Sequence, residues 1–216
     1  EPEHSAFAEK VRLTSYPLVE RGGVLWTYIG PPESQPPLPE YEFATVPASQ
    51  SYTSKRLQEC NWLQALEGGI DSSHVSFLHR GELNTDPLFK GSRGNQYNLN
   101  DMRPVFEVVE STGGLYIGAR RNAEDGKYYW RITHFLATFY TYIPGAVSLE
   151  ANIGGHAWVP IDDENTWRWS FNWRSTAPYS EEERERMKHN GTIHAEKIPG
   201  TYWPLRTLEN DFLVDR

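Results

Sequence analysis

Cysteine is almost absent: Cys60 stands alone in 216 residues. That excludes an internal disulfide framework and fits a reducing cytoplasm. It also excludes an iron–sulfur or zinc site built from the chain's own thiolates. No basic block is present, and 21 Lys and Arg against 29 Asp and Glu leave a formal charge of −8. Nucleic acid and anionic membrane surfaces are therefore poor partners. No apolar run approaches the roughly 18 residues that a membrane span needs, and no signal peptide opens the chain.

Aromatic residues are abundant. With 8 Trp, 12 Tyr and 9 Phe, a core and a pocket lined with rings are expected. The length suits one domain, or one domain with a fragment of another. Glu1 is not a Met, and residues 210–216 carry neither a turn signal nor a polar tail. The expectation is an interior piece of a longer polypeptide.

Residues 10–30 read as extended, with Gly22-Gly23 as a turn before a strand at 24–29. The run Pro31-Pro32-Glu33-Ser34-Gln35-Pro36-Pro37-Leu38-Pro39 is too rich in proline for a helix or central strand and reads as a linker. Trp62, Leu63, Leu66 and Ile70 recur at helical intervals within 58–78, where Gly68-Gly69 marks a break or a close backbone approach. Beyond residue 101 the pattern turns to β, with short runs at 105–110, 115–120, 128–135, 146–152, 156–161 and 167–173 punctuated by glycine turns. Short consecutive connections predict an antiparallel meander. A solvated helix follows over 178–188, with Ser180 as its N-cap. The class is α+β: an antiparallel sheet with helices on one side.

The chemistry concentrates in Asp71-Ser72-Ser73-His74-Val75-Ser76-Phe77-Leu78-His79. Two imidazoles and a carboxylate are the donor set of non-haem Fe(II) oxygenases. Residues five apart on a regular helix diverge by roughly 140°, so the helix must widen or end between His74 and His79 for both to reach one ion. Asp71, at i and i+3 with His74, is placed to cap the second helix and to accept a hydrogen bond from the imidazole nitrogen that faces away from the metal. On spacing alone, two hydrogen-bonded core histidines are the commoner arrangement.

The wider segment Asn61-Trp62-Leu63-Gln64-Ala65-Leu66-Glu67-Gly68-Gly69-Ile70-Asp71-Ser72-Ser73-His74, continuing to His79, closely resembles the iron-binding helix of Rieske non-haem iron oxygenases. The likeness is to the large-subunit branch of phthalate and phenoxybenzoate dioxygenases and vanillate-type O-demethylases. Tyr16-Pro17 with residues 20–30 is similar to the closing strands of their Rieske domain. Pro199-Gly200-Thr201-Tyr202-Trp203-Pro204-Leu205, with residues 210–216, resembles the segment ahead of their last helix.

The resemblance implies a helix-grip (Bet v 1-like) catalytic domain over 41–216, incomplete at its C-terminus. Residues 1–40 would be the terminal strands of a Rieske domain and the proline-rich linker. His74 and His79 would ligate a mononuclear Fe(II), with the third ligand a carboxylate in a Gln-Asp segment downstream. The [2Fe-2S] cluster would lie upstream of Glu1. Asp71 would bridge a cluster-ligating histidine of one subunit to an iron-ligating histidine of the next, in a homotrimer. The implied activity is hydroxylation or O-demethylation of an aromatic substrate with O2, using electrons passed from NADH or NADPH by a separate reductase.

Arginines on this sheet hold a substrate carboxylate in relatives acting on aromatic acids, which makes Arg103 and Arg131 candidates; for any one of Arg103, Arg120, Arg121 and Arg131 a solvated face is the ordinary fate. Arg120 and Arg121 point to opposite faces if they share a strand, so at most one reaches the pocket. Asn61 is a candidate to support the iron site or the substrate. His134 reads as a core histidine, His156 as part of a turn, and His189 and His194 as exposed. The alternative function is a non-catalytic ligand-binding module on the same fold, with a hydrophobic cavity and no metal.

Overall fold

The computed structural model describes residues 7–81, 93–143, 153–189 and 194–214. A single helical turn, Phe7–Lys10 (α1), precedes a hairpin in which Leu18–Arg21 (β1) pairs antiparallel with Val24–Thr27 (β2). The turn is the expected Gly22-Gly23, with φ of +64° and +74°, a region that only glycine enters freely. Gly22 is also required by space, since a Cβ there would lie 2.8 Å from Ala44 Cα.

The main sheet has seven strands: Ser51–Gln58 (β3), Val105–Ser111 (β4), Gly114–Asn122 (β5), Tyr128–Leu136 (β6), Tyr140–Ile143 (β7), Ile153–Pro160 (β8) and Thr166–Trp173 (β9). Their order is β3-β9-β8-β7-β6-β5-β4, antiparallel throughout. The meander expected from the short connections is therefore present. The expected strand over 146–152 lies outside the described residues. β3 was not legible: its alternation Tyr52, Ser54, Arg56, Gln58 against Ser51, Thr53, Lys55, Leu57 has no apolar face.

Helical structure begins later than position 58. Gln58 ends β3, and Trp62–Ile70 (α3) starts after Asn61, whose side-chain oxygen accepts from Leu63 N at 2.9 Å. α3 runs unbroken through Gly68-Gly69. The glycines mark a close approach: a Cβ on Gly69 would stand 3.1 Å from Thr141 Oγ1 and 3.4 Å from the Trp158 ring. The break comes at Asp71, and a second helix of one turn, His74–Phe77 (α4), follows. The remaining helices are Glu42–Thr45 (α2), ahead of β3, and Arg93–Asn100 (α5) and Glu181–His189 (α6), further along. α6 carries a reciprocal cap, Ser180 Oγ accepting from Glu183 N and Glu183 Oε2 from Ser180 N.

The two faces of the sheet differ in chemistry. On one, Tyr140, Ala157, Phe171 and Trp173 form the apolar core with Val24, Phe43 and Ala44 from the hairpin and α2. Phe43 stacks on Phe171 at 3.9 Å between ring centroids. Full burial of such side chains contributes about 1.5–3 kcal/mol each. The other face is mixed, with buried Ile117 and Ala119 beside a cluster of polar side chains. Register places Arg121, Arg131, Thr133, Thr141, His156, Trp158, Arg168, Ser170 and Arg56 on it together, and α3 packs over its middle. Thr133 and Thr141 are fully buried there.

Two histidine expectations fail on this face. His156 lies within β8, buried, because Gly154-Gly155 continue the strand instead of turning it. His194 is buried too, held between Ser54 Oγ at 2.5 Å and Asn172 Oδ1 at 2.7 Å.

Candidate metal centre

The segment between α3 and α4 is held from both sides. Asp71 Oδ1 accepts from Ser73 N and Ser73 Oγ, each at 2.7 Å, and Oδ2 accepts from His74 N at 3.2 Å. Burial raises the Asp71 pKa, but the Ser73 hydrogen bonds and the His74 charge outweigh it, and the carboxyl titrates below the ordinary range. Asp71 thus orders the first turn of α4. The expected hydrogen bond to the His74 ring is not made: Asp71 Oδ2 stands 3.6 Å from His74 Nδ1, because the carboxylate spends its acceptors on backbone and Ser73.

From the sheet, Arg121 is 1% exposed. Its Nη2 donates to Ser72 O at 2.8 Å and Ser76 Oγ at 3.3 Å, and its Nε to Asp101 O at 3.0 Å. Arg131 Nη1 donates to Ser72 Oγ at 2.9 Å. Neither is solvated, contrary to the ordinary fate of a strand arginine: both lie beneath the Ser72 turn, whose oxygens give them acceptors. Burial lowers both pKa values, while Asp71 favours both charges. Arg120 points the other way, its guanidinium 4.3 Å from the Tyr128 ring centroid, so only Arg121 of the adjacent pair faces inward. Arg103 is exposed in the bend ahead of β4. Asn61 caps α3, and its Nδ2 donates to Asp163 O at 3.1 Å.

α4 ends between the two histidines, one of the routes by which a spacing of five can serve one ion. The His74 and His79 ring centroids are 5.3 Å apart with planes at 64°. Two imidazoles that share an ion through nitrogens about 2.1 Å from it have centroids about 4.5–5.5 Å apart. His74 Nδ1 is buried without a hydrogen-bond partner, Asp71 Oδ2 standing 3.6 Å away, and no hydrogen bond of that nitrogen fixes the ring. The pair therefore fits a metal. Among the described residues no group of three His, Cys, Asp or Glu side chains comes together, so the pair is an incomplete donor set.

Comparison with known proteins gives the family and the fold. The family model described as "LigXa C-terminal domain like" matches residues 27–216, and the chain belongs to that family. It is 33% identical over 222 residues to the 3-chlorobenzoate-3,4-dioxygenase oxygenase subunit of Comamonas testosteroni, covering 97% of this chain and 50% of that protein. It is 32% identical over 225 residues to the phthalate 4,5-dioxygenase oxygenase subunit of Pseudomonas putida, covering 100% of this chain and 50% of the relative. The chain thus spans about half the length of these curated relatives. In fold it is similar to dicamba monooxygenase bound to 3,6-dichlorosalicylic acid, with a TM-score of 0.56 and 14% identity over 82% of this chain and 56% of that one. It is likewise similar to the terminal oxygenase of carbazole 1,9a-dioxygenase from Nocardioides aromaticivorans IC177, with a TM-score of 0.54 and 15% identity over 86% and 55%. The α+β class and the resemblance to Rieske oxygenase large subunits are borne out. No helix among the described residues is long and apolar enough to cross a membrane.

Sequence reasoning missed Ser72 and Ser76, and weighed Arg121 without choosing it. The serines are fully buried and carry no periodic signal. A polar residue next to a histidine motif, lying opposite an inward strand arginine, is the pattern that finds them.

Proposed function

We propose that this chain is the catalytic part of a Rieske-type oxygenase subunit acting on a small aromatic substrate. His74 and His79 hold a mononuclear Fe(II), and a carboxylate supplied from outside these residues completes the site. What supports the reading is the pair of rings 5.3 Å apart at the end of α4, on a chain whose relatives are oxygenase subunits. The iron, when bound, supplies the place where O2 is activated with electrons from the cluster.

The chain's own residues do the positioning. Arg121, Arg131 and Asp71 fix the turn that presents the histidines, and a first ligand so anchored needs little reorganisation when metal arrives. Asp71, with 44% of its side chain exposed, retains an accessible carboxylate for a cluster-ligating histidine of a neighbouring subunit in a homotrimer. Arg131, on the sheet face that α3 covers, and the exposed Arg103 are candidates for holding a substrate carboxylate. Asn61 acts on the centre only indirectly, by capping the start of α3. Residues 1–40 belong to the end of the Rieske domain and its linker, and 41–216 to the catalytic domain. The enzyme works in the cytoplasm with a [2Fe-2S] cluster and a reductase fed by NAD(P)H.

The test is iron analysis of the holoenzyme and its His74→Ala and His79→Ala variants. Each variant is expected to lose mononuclear iron and keep the cluster spectrum. Full iron occupancy in either variant refutes that residue as a ligand.

A further inference from the structure

The mixed face carries a second cationic cluster at the opposite end of the sheet from Arg121 and Arg131. Arg56 of β3 and Arg168 of β9 sit directly opposite each other in register. Like charges so placed repel, and burial adds a desolvation penalty to both. Arg168 Nη2 approaches His156 Nε2 at 3.2 Å, and His156 Nδ1 approaches Ser170 Oγ at 3.2 Å. Because a guanidinium only donates, His156 accepts at Nε2 and carries its proton on Nδ1. The ring is neutral and holds Arg168 in place. The nearby His194 ring is likewise kept neutral by burial.

The two arginine pairs differ in what their nitrogens do. Arg121 donates through Nε and Nη2 to Ser72, Ser76 and Asp101, acceptors of its own chain, and only its Nη1 is left unpartnered. At the second cluster, Arg56 Nε and Arg168 Nε are buried without hydrogen-bond partners. The neighbouring charges felt by Arg168, His156 and His194 are one another, Arg56, Lys197 and Cys60, and none of the ion pairs among the described residues includes Arg56 or Arg168. The first pair is a brace. The second is a concentration of positive charge with no anion of its own, on the face that α3 covers.

We infer that Arg56 and Arg168, with His156 as the positioning residue, form an anion seat that takes the carboxylate of a small organic acid. A carboxylate between two guanidinium groups relieves their mutual repulsion and accepts paired, charge-assisted hydrogen bonds. The apolar part of such an acid would lie along the Trp158 ring, which is 4.8 Å from His156 and 5.2 Å from the Arg168 guanidinium. The inference deepens the proposed oxygenase reading, since it treats this face as the substrate cavity, and adds a specificity site separate from Arg103 and Arg131.

Calorimetric titration of the holoenzyme with benzoate and with its neutral isostere benzamide tests it, with iron content measured on the same samples. Wild type is expected to favour benzoate at least tenfold. Arg56→Gln and Arg168→Gln are expected to abolish that preference while benzamide binding holds, and Arg120→Gln is expected to keep it. Arg56 makes no hydrogen bond to the described protein, so Arg56→Gln is the variant that keeps its fold and decides the matter if Arg168→Gln unfolds. Wild-type affinity for benzoate in Arg56→Gln overturns the seat, as does equal binding of benzoate and benzamide by wild type. Lowered thermal stability with unchanged benzoate affinity overturns it too, and assigns the arginines to a carboxylate elsewhere in the polypeptide. Iron missing from wild type sinks the oxygenase reading separately, whatever the titration gives.

Discussion

Arg121→Met separates a brace from a bystander. The arginine is 1% exposed; two of its hydrogen bonds end on the histidine segment, at Ser72 and Ser76, and a third on Asp101 ahead of β4. Hydrogen bonds from a charged donor contribute about 1.5–3 kcal/mol each. Methionine matches the length of the stem but leaves the Ser72 and Asp101 carbonyls without their donor. Against this, removing a buried charge recovers its desolvation penalty, a recovery enlarged because Nη1 has no partner at all. The loss wins, leaving a net destabilisation of about 3 kcal/mol. At about 2–4 °C per kcal/mol for a chain of this size, the melting temperature should fall by about 6–12 °C. Iron occupancy should fall with it. Arg120→Met removes the stacking on Tyr128 and the longer approach to Trp130 and should cost about 0.5–1 kcal/mol. Circular dichroism melts with metal analysis make the comparison. Equal melting temperatures for the two variants would falsify the bracing role.

Three further outcomes follow from the same geometry. His194 has its pKa pushed down to about 3 by burial and the neighbouring cations, below the usual value of about 6.5. The unfolded chain therefore binds the extra proton first, and stability present above pH 6.5 drains as pH falls toward 3, by up to about 1.4 kcal/mol per unit; His194→Gln should flatten that slope, and an unchanged slope contradicts the assignment. Against the effect of burial, Asp71 is also shifted down by the Ser73 hydrogen bonds and the His74 charge, so its contribution is present above the ordinary carboxyl pKa and lost as pH falls through the lower folded value; the melting gap between wild type and Asp71→Asn should hold above the ordinary carboxyl range and close as pH falls below it. Gly68 has open space where a Cβ would go, whereas Gly69 has Thr141 and Trp158. Gly68→Ala should therefore stabilise by up to about 1 kcal/mol and Gly69→Leu should destabilise by about 1–3 kcal/mol, and equal chemical denaturation midpoints would remove the close-approach argument.

What could be read without coordinates followed from local chemistry. The hairpin at Gly22-Gly23, the meander from β4 to β9 and the cap at Ser180 each depend on residues adjacent in sequence. The histidine pair was legible for the same reason, and its spacing already required α4 to end or widen between the rings. β3 was not legible because its exposed-looking polar residues form a buried polar face that only the partner strand β9 defines. His156 and His194 were misplaced for the same cause: their partners lie on β9 and β3, far away in sequence. Arg121 was undervalued because a strand arginine is ordinarily solvated, and the acceptors that bury it belong to a turn 45 and 49 residues away.

The account stands or falls on where iron sits. Anomalous diffraction at the iron edge from crystals of the ferrous holoenzyme should place one metal ion about 2.1 Å from a ring nitrogen of both His74 and His79. An iron peak elsewhere, with either ring hydrogen-bonded to protein in its place, would contradict the metal centre and the oxygen chemistry assigned to it.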